Sequence, residues 1–100
     1  MLVNVVFTFR FDMVDVPSVI AKDINKYQLQ CDKWLFDKKN SHEFWIERGS
    51  NKKYAVNTCS EALVFYLNNY VLNDSKEKAT IVEKSKPNKF LDESIPTIFY

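Results

Sequence analysis

The sequence predicts an α+β fold in which two helices cover one face of an antiparallel sheet. Three observations carry this reading. Several segments alternate apolar and polar residues with period two, two others repeat apolar residues at spacings of three and four, and 100 residues suffice for one core.

The first alternating segment runs from Leu2 to Phe11, with Val3, Val5, Phe7, Phe9 and Phe11 on one face and Asn4, Thr8 and Arg10 on the other. β-Branched and aromatic residues at this period specify a strand, and Val6 on the second face marks a central strand covered on both sides. Asp15 or Val16 opens a helix, with Pro17 in the first turn, where its missing N–H costs nothing. Val16, Val19, Ile20, Ile24 and Tyr27 form its buried stripe, and Asp23 lies at the stripe's edge, facing solvent. Leu29 to Asp37 reads two ways. Cys31, Trp34 and Leu35 continue the helical stripe to about Lys39, whereas the Trp34-Leu-Phe cluster has high β propensity. The strand is favoured, because Tyr27 already closes a helix of ordinary length.

His42 to Arg48 alternates again, with Phe44 and Ile46 on one face and Trp45, between Glu43 and Glu47, on the other. Gly49-Ser-Asn-Lys is a turn, and Lys53 to Asn57 is a short strand with Tyr54 and Val56 together. Thr58-Cys-Ser-Glu61 reads as a capping box: the threonine hydroxyl accepts the Glu61 N–H and the glutamate carboxylate accepts the Thr58 N–H. The helix it opens extends to about Asn73. Its core side is Cys59, Leu63, Tyr66, Leu67 and Tyr70, with Phe65 and Leu72 nearly opposite. Ala79 to Lys84 is a further strand, Lys86-Pro87-Asn88 a break, and Phe90 to Ser94 a helical turn. Ile95 to Tyr100 is an apolar tail that should dock, with Phe65 and Leu72 as one candidate site. The order is β-α-β-β-β-α-β, or β-α-β-β-α-β if Leu29 to Asp37 belongs to the helix. The shorter order resembles the ferredoxin-like plan. Residues 1–100 are expected to form one domain, with 86–100 a docked C-terminal tail.

Composition excludes several function classes. Fourteen basic and thirteen acidic residues leave a net charge of +1, without the basic excess of a nucleic-acid binder or the acidity of a nucleic-acid mimic. The one local imbalance, Ser75 to Lys89, sets Lys76, Lys78, Lys84, Lys86 and Lys89 against Glu77 and Glu83, and reads as a solvated edge strand and linker. The N-terminus lacks a basic region and a cleavage site, and no apolar run approaches the ~18 residues of a membrane span. A cytoplasmic protein with no membrane partner is expected. Gly49 is the sole glycine, so glycine-rich phosphate loops are excluded. His42 is the sole histidine, and two cysteines, Cys31 and Cys59, are too few for a disulfide scaffold. No metal site, cofactor or enzymatic activity is expected. Cys59 lies in a helical first turn, where the dipole favours a thiolate, but its angle puts it on the core side.

What remains is an excess of aromatic residues, 15% of the chain. An indole turned away from the core needs cover, and tryptophan and tyrosine are enriched at binding hot spots. Trp45, rimmed by Glu43 and Glu47, is therefore the candidate protein interface, with Phe65 and Leu72 joining it if the tail leaves them open. In size, compact α+β order, a lysine-, asparagine-, phenylalanine- and tyrosine-rich composition typical of AT-rich coding DNA, and absence of catalytic groups, the chain resembles small immunity proteins of bacterial toxin–immunity pairs. That resemblance spans the whole chain and assigns no residue a role. It implies a protein that binds one cognate toxin and blocks its active site. A phage-type inhibitor of a host defence protein and a nucleic-acid-associated accessory domain using the Ser75 to Lys89 lysines are the alternatives.

Overall fold

Leu2 to Phe11 does not run on as one strand. The computed structural model, which describes residues 1–100, folds it into a hairpin of β1 (Leu2–Val6) and β2 (Arg10–Asp15). The turn is closed by the Phe7 N–H donating to the Arg10 carbonyl at 2.8 Å. Its central residues, Thr8 and Phe9, include none of the glycine, proline, asparagine or aspartate that announces a turn, so the alternation continued unbroken through it. Register then places Val3 beside Val14 and Val5 beside Asp12 on one face, and Val6 beside Phe11 on the other.

Two helices follow, α1 (Ser18–Lys22) and α2 (Ile24–Phe36), separated by Asp23, whose φ of −120° breaks the helical path. Asp23 is exposed, as its place at the stripe's edge predicts. The expectation of a strand over 29–37 is corrected, since this segment forms the second half of α2. Ile24, Cys31 and Leu35 are buried at helical spacing. Sealing three such side chains, at roughly 1.5–3 kcal/mol for a large one, outweighs a β-propensity scale that spans only ~1 kcal/mol.

β3 (Trp45–Arg48) and β4 (Asn51–Val56) form a separate two-stranded sheet, turned at Gly49 with φ +61°. α3 (Ser60–Tyr66) continues into a π-helical turn at Leu67–Val71. β5 (Thr80–Pro87), a short 3₁₀ turn (Asn88–Phe90) and β6 (Thr97–Phe99) complete the chain. The capping box does not form. Cys59 is the N-cap, no side chain caps α3, and the Glu61 carboxylate pairs with Lys84 at 2.9 Å instead.

The fold is α+β, and its main sheet has the order β5-β2-β1-β6. It is antiparallel except that β6 runs parallel to β1. This differs from the expected antiparallel, ferredoxin-like arrangement. A local hairpin supplies the two central strands, and β3–β4 stands outside the sheet. The tail docks, but not near Phe65 and Leu72. It adds to the open edge of β1, where Asn4 N–H donates to the Pro96 carbonyl (2.8 Å) and Tyr100 N–H to the Val6 carbonyl (2.9 Å). Backbone pairing along a strand edge satisfies groups that a helix surface cannot.

The main core lies between one sheet face, with Val3, Val5, Val14 and Ile98, and the helical layer, with Ile20, Cys31, Leu35, Leu63 and Leu67. The other face is covered too. β5 and β6 lie at opposite edges with the same direction, so residues 88–96 must cross the sheet between them. They cross over Asn4, whose buried Nδ2 donates to the Asp92 carbonyl (2.9 Å) and to Thr97 Oγ1 (3.2 Å). No helix is long and apolar enough to cross a membrane.

Candidate protein-binding surface

The C-terminal half of α2 presents Trp34, and the loop after it carries His42 back onto that indole. Asn40 Nδ2 donates to the Trp34 carbonyl at 2.9 Å and holds the loop against the helix end. His42 Nε2 lies 2.8 Å from the Leu35 carbonyl, which can only accept, and Nδ1 accepts the Phe44 N–H at 3.2 Å. These two partners assign Nε2 as the donor and Nδ1 as the acceptor. The imidazole is packed against Trp34 (4.8 Å between ring centres) and stacked on Trp45 (4.9 Å, 6° between planes). The sole histidine thus joins two indoles.

From Trp34 the array continues onto α3 and the π-helical turn. Phe65 stacks on Trp34 at 5.7 Å and meets Phe44 edge-on at 6.0 Å. Tyr66 and Tyr70 pack on Trp34 at 5.6 and 5.3 Å. The outer members remain open to solvent, Tyr70 by 57% and Phe65 by 37%. Trp45 is half-buried, its indole Nε1–H donating to the Asn40 carbonyl at 2.8 Å. At the other end, the β3–β4 hairpin exposes Ile46 and Tyr54, with the Arg48 guanidinium over the Tyr54 ring. Glu43 and Glu47 are exposed as expected, Glu47 beside Lys52 at 3.3 Å, and the Lys53 ammonium lies 5.7 Å from the Trp45 ring centre.

Of the residues singled out in sequence, Trp45, Glu43, Glu47 and Phe65 fall on or beside this array. Leu72 does not. It is only 6% exposed and belongs to the core. An α-helix would carry it to the far side from Leu67. The π-helical turn inserts one extra residue, Leu72 N–H donates to the Leu67 carbonyl at 2.7 Å, and the two leucines come to share one side. Sequence reasoning missed Trp34, His42 and Tyr70. Tyr66 and Tyr70, four apart, were legible as an aromatic pair, but helical angle alone placed both inward.

The other chemical candidates resolve structurally. Burial pushes the Cys31 thiol up to about 12, and neighbouring Asp32 adds to the effect. The Cys59 thiol is also raised by burial, which outweighs the helix N–H groups facing it. Neither is poised as a thiolate nucleophile. No group of three or more His, Cys, Asp or Glu side chains is placed to hold a metal ion. Among the lysines of 75–89, Lys84 is paired with Glu61 and the Lys78 ammonium donates to the Leu72 carbonyl. In comparison with known proteins, no protein-family model, curated protein or solved structure matches this chain.

Proposed function

We propose that the chain is a small protein-binding inhibitor module, acting in the bacterial cytoplasm as the immunity partner of a cognate toxin and carrying out no catalysis itself. The observation that supports this reading is the continuous aromatic array from Trp45 through His42 and Trp34 to Phe65 and Tyr70, whose outer rings stay open to solvent. Its inner rings are locked by mutual packing and by hydrogen bonds to Asn40, Leu35 and Phe44, so little side-chain entropy is lost when a partner covers the outer ones. Pre-organised tyrosine and tryptophan with a charged rim are the composition of a hot spot.

The test is co-expression with the toxin encoded beside the chain's own gene, followed by calorimetry on the purified pair. Growth should be restored and a stoichiometric complex form. Tyr70→Ala, at an exposed position, should weaken that complex by about 2 kcal/mol, the scale of a hot-spot anchor, while leaving the circular dichroism unchanged. Undiminished growth arrest with no complex would end the immunity reading. Binding to nucleic acid that falls steeply with added salt would replace it with the accessory-domain alternative.

A further inference from the structure

Segment 88–96 covers the second sheet face but is held there by little. Its ends are fixed: Pro87 closes β5, which pairs with β2, and Pro96 precedes β6, whose Ile98 lies in the core. Between these two prolines no residue is buried. Most of the segment's hydrogen bonds are internal and travel with it. Leu91 N–H donates to the Asn88 carbonyl, Ile95 N–H to the Asp92 carbonyl and Ser94 N–H to the Asp92 carboxylate. Two asparagine side chains tie it to the sheet. Asn4 Nδ2 reaches the Asp92 carbonyl at 2.9 Å, and Asn88 Nδ2 reaches the Phe7 and Thr8 carbonyls at 3.4 and 3.3 Å, long for such bonds. In both asparagines Oδ1 is buried without a donor. A buried acceptor left unpaired keeps its full desolvation cost, which lifting the segment into water relieves. Along β1 between the two ties, on the same face as Asn4, Val6 sits beside Phe11; both are buried, and neither belongs to the core under the helices.

We propose that segment 88–96 is a strap that lifts on its own, bending at Pro87 and Pro96 while β5 and β6 stay paired, and uncovers the apolar strip of Val6 and Phe11. Neither proline has an N–H, so the two bending points carry no donor bond that the motion breaks. Lifting gives up the asparagine ties and hydrates two unpaired acceptors. Exposure of Val6 and Phe11 opposes it, which makes the closed form the ground state and the open form a minor one. Segments with few buried contacts and self-contained hydrogen bonds open in this way, well below the free energy of global unfolding. The strap lies across the sheet from the helices that carry the aromatic array, so it gates an apolar strip separate from that surface.

Hydrogen exchange followed by NMR on the unaltered chain tests this at a single residue. The Asn4 main-chain N–H donates to the Pro96 carbonyl and reports the β6 edge, while its Nδ2–H on the Asp92 carbonyl reports the strap. Relative to intrinsic rates, the side-chain proton should exchange about tenfold faster or more, with no dependence on low urea, the mark of a local opening. Asn88→Asp turns an amide donor into a carboxylate facing two carbonyls. It should speed side-chain exchange at Asn4 by about another tenfold and leave the main-chain exchange as it was. A thiol reads the strip itself. In a chain carrying Cys59→Ser and Val6→Cys, iodoacetamide should modify position 6 well before Cys31, which is buried under the helices, each rate being taken relative to the urea-unfolded chain. Exchange of both Asn4 protons at one rate with one urea dependence means that the strap leaves only together with β6, and overturns the proposal. So does modification of position 6 no faster than that of Cys31. Neither result depends on a toxin partner, so failure here leaves the immunity reading standing.

Discussion

Asp12 is a charged residue in the first sheet that is only 1% exposed. Its carboxylate accepts the Ser60 hydroxyl at 2.7 Å, the Ser85 N–H at 2.9 Å and an Arg10 guanidinium N–H at 3.0 Å. It thereby ties β2 to the start of α3 and to the irregular stretch of β5, where Ser85 takes a left-handed φ of +58°. Such a conformation costs a non-glycine residue roughly 1–2 kcal/mol, and here it aims the Ser85 N–H at the carboxylate. Asp12→Ala should cost about 3–4 kcal/mol of stability in urea unfolding, because the three donors lose a buried partner together. Nothing local in the sequence marks Asp12 as a tie point, since Ser60 and Ser85 lie 48 and 73 positions away. Cys31 gives a second residue-scale expectation. Its thiol, ordinarily near 9, is held up to about 12 by burial. Below pH 9 it is protonated in both states and stability is unaffected. Between pH 9 and about 12 only the unfolded chain releases the proton, so stability falls, by roughly 4 kcal/mol at the upper end. Burial raises the Tyr66 and Tyr100 hydroxyls in the same sense. The urea midpoint should drop steeply above pH 9, and Cys31→Ala should flatten part of that drop.

At the scale of elements, the β3–β4 hairpin is the least supported piece. Two-stranded ribbons are marginal alone, and this one meets the body through Phe44, Val56 and the stacked Trp45, leaving Ile46 and Tyr54 outside. Gly49 holds its turn at φ +61° with open space around it, so a methyl group there meets no neighbour and incurs only backbone strain. Gly49→Ala should lower hydrogen-exchange protection in the hairpin by about 1 kcal/mol while leaving the global unfolding midpoint nearly unchanged. An equal loss in the main sheet would mean that the hairpin and the core open as one unit. The hairpin was legible in sequence because Gly49 and Asn51 sit between two alternating runs. The β1–β2 turn was not, because Thr8 and Phe9 are poor turn residues held by pairing on both sides. The helix over 29–37 was half legible. Cys31 and Leu35 kept the right spacing, but their burial depends on α3, whose Leu63 lies 28 or more positions onward, and local propensity carries no information about that packing.

For the molecule as a whole, the decisive feature is that the two ends of the chain share one sheet. β6 pairs with β1 across more than ninety residues of sequence, and Ile98, 1% exposed, fills the core beside Val5. Segment 88–96 seals the second face over Asn4 on its way to that edge. An apolar tail announced that it would dock, but not where, because the open edge of β1 exists only after β2 and β5 have taken their places. Removing residues 95–100 should therefore act globally. It deletes the buried Ile98, uncovers Val5, frees the Asn4 side chain from Thr97, and takes from Phe7 the Tyr100 ring stacked 5.7 Å away. Loss of one large buried aliphatic side chain alone costs about 2–5 kcal/mol, a large share of the 5–15 kcal/mol that holds a domain together. The shortened chain should lose cooperative thermal unfolding and bind a hydrophobic dye, and Ile98→Ala in the full chain should reproduce part of the loss while keeping the backbone pairing. If the shortened chain instead melts cooperatively near the parent temperature, the β1–β2–β5 sheet is self-sufficient and the parallel edge strand is an accessory to it.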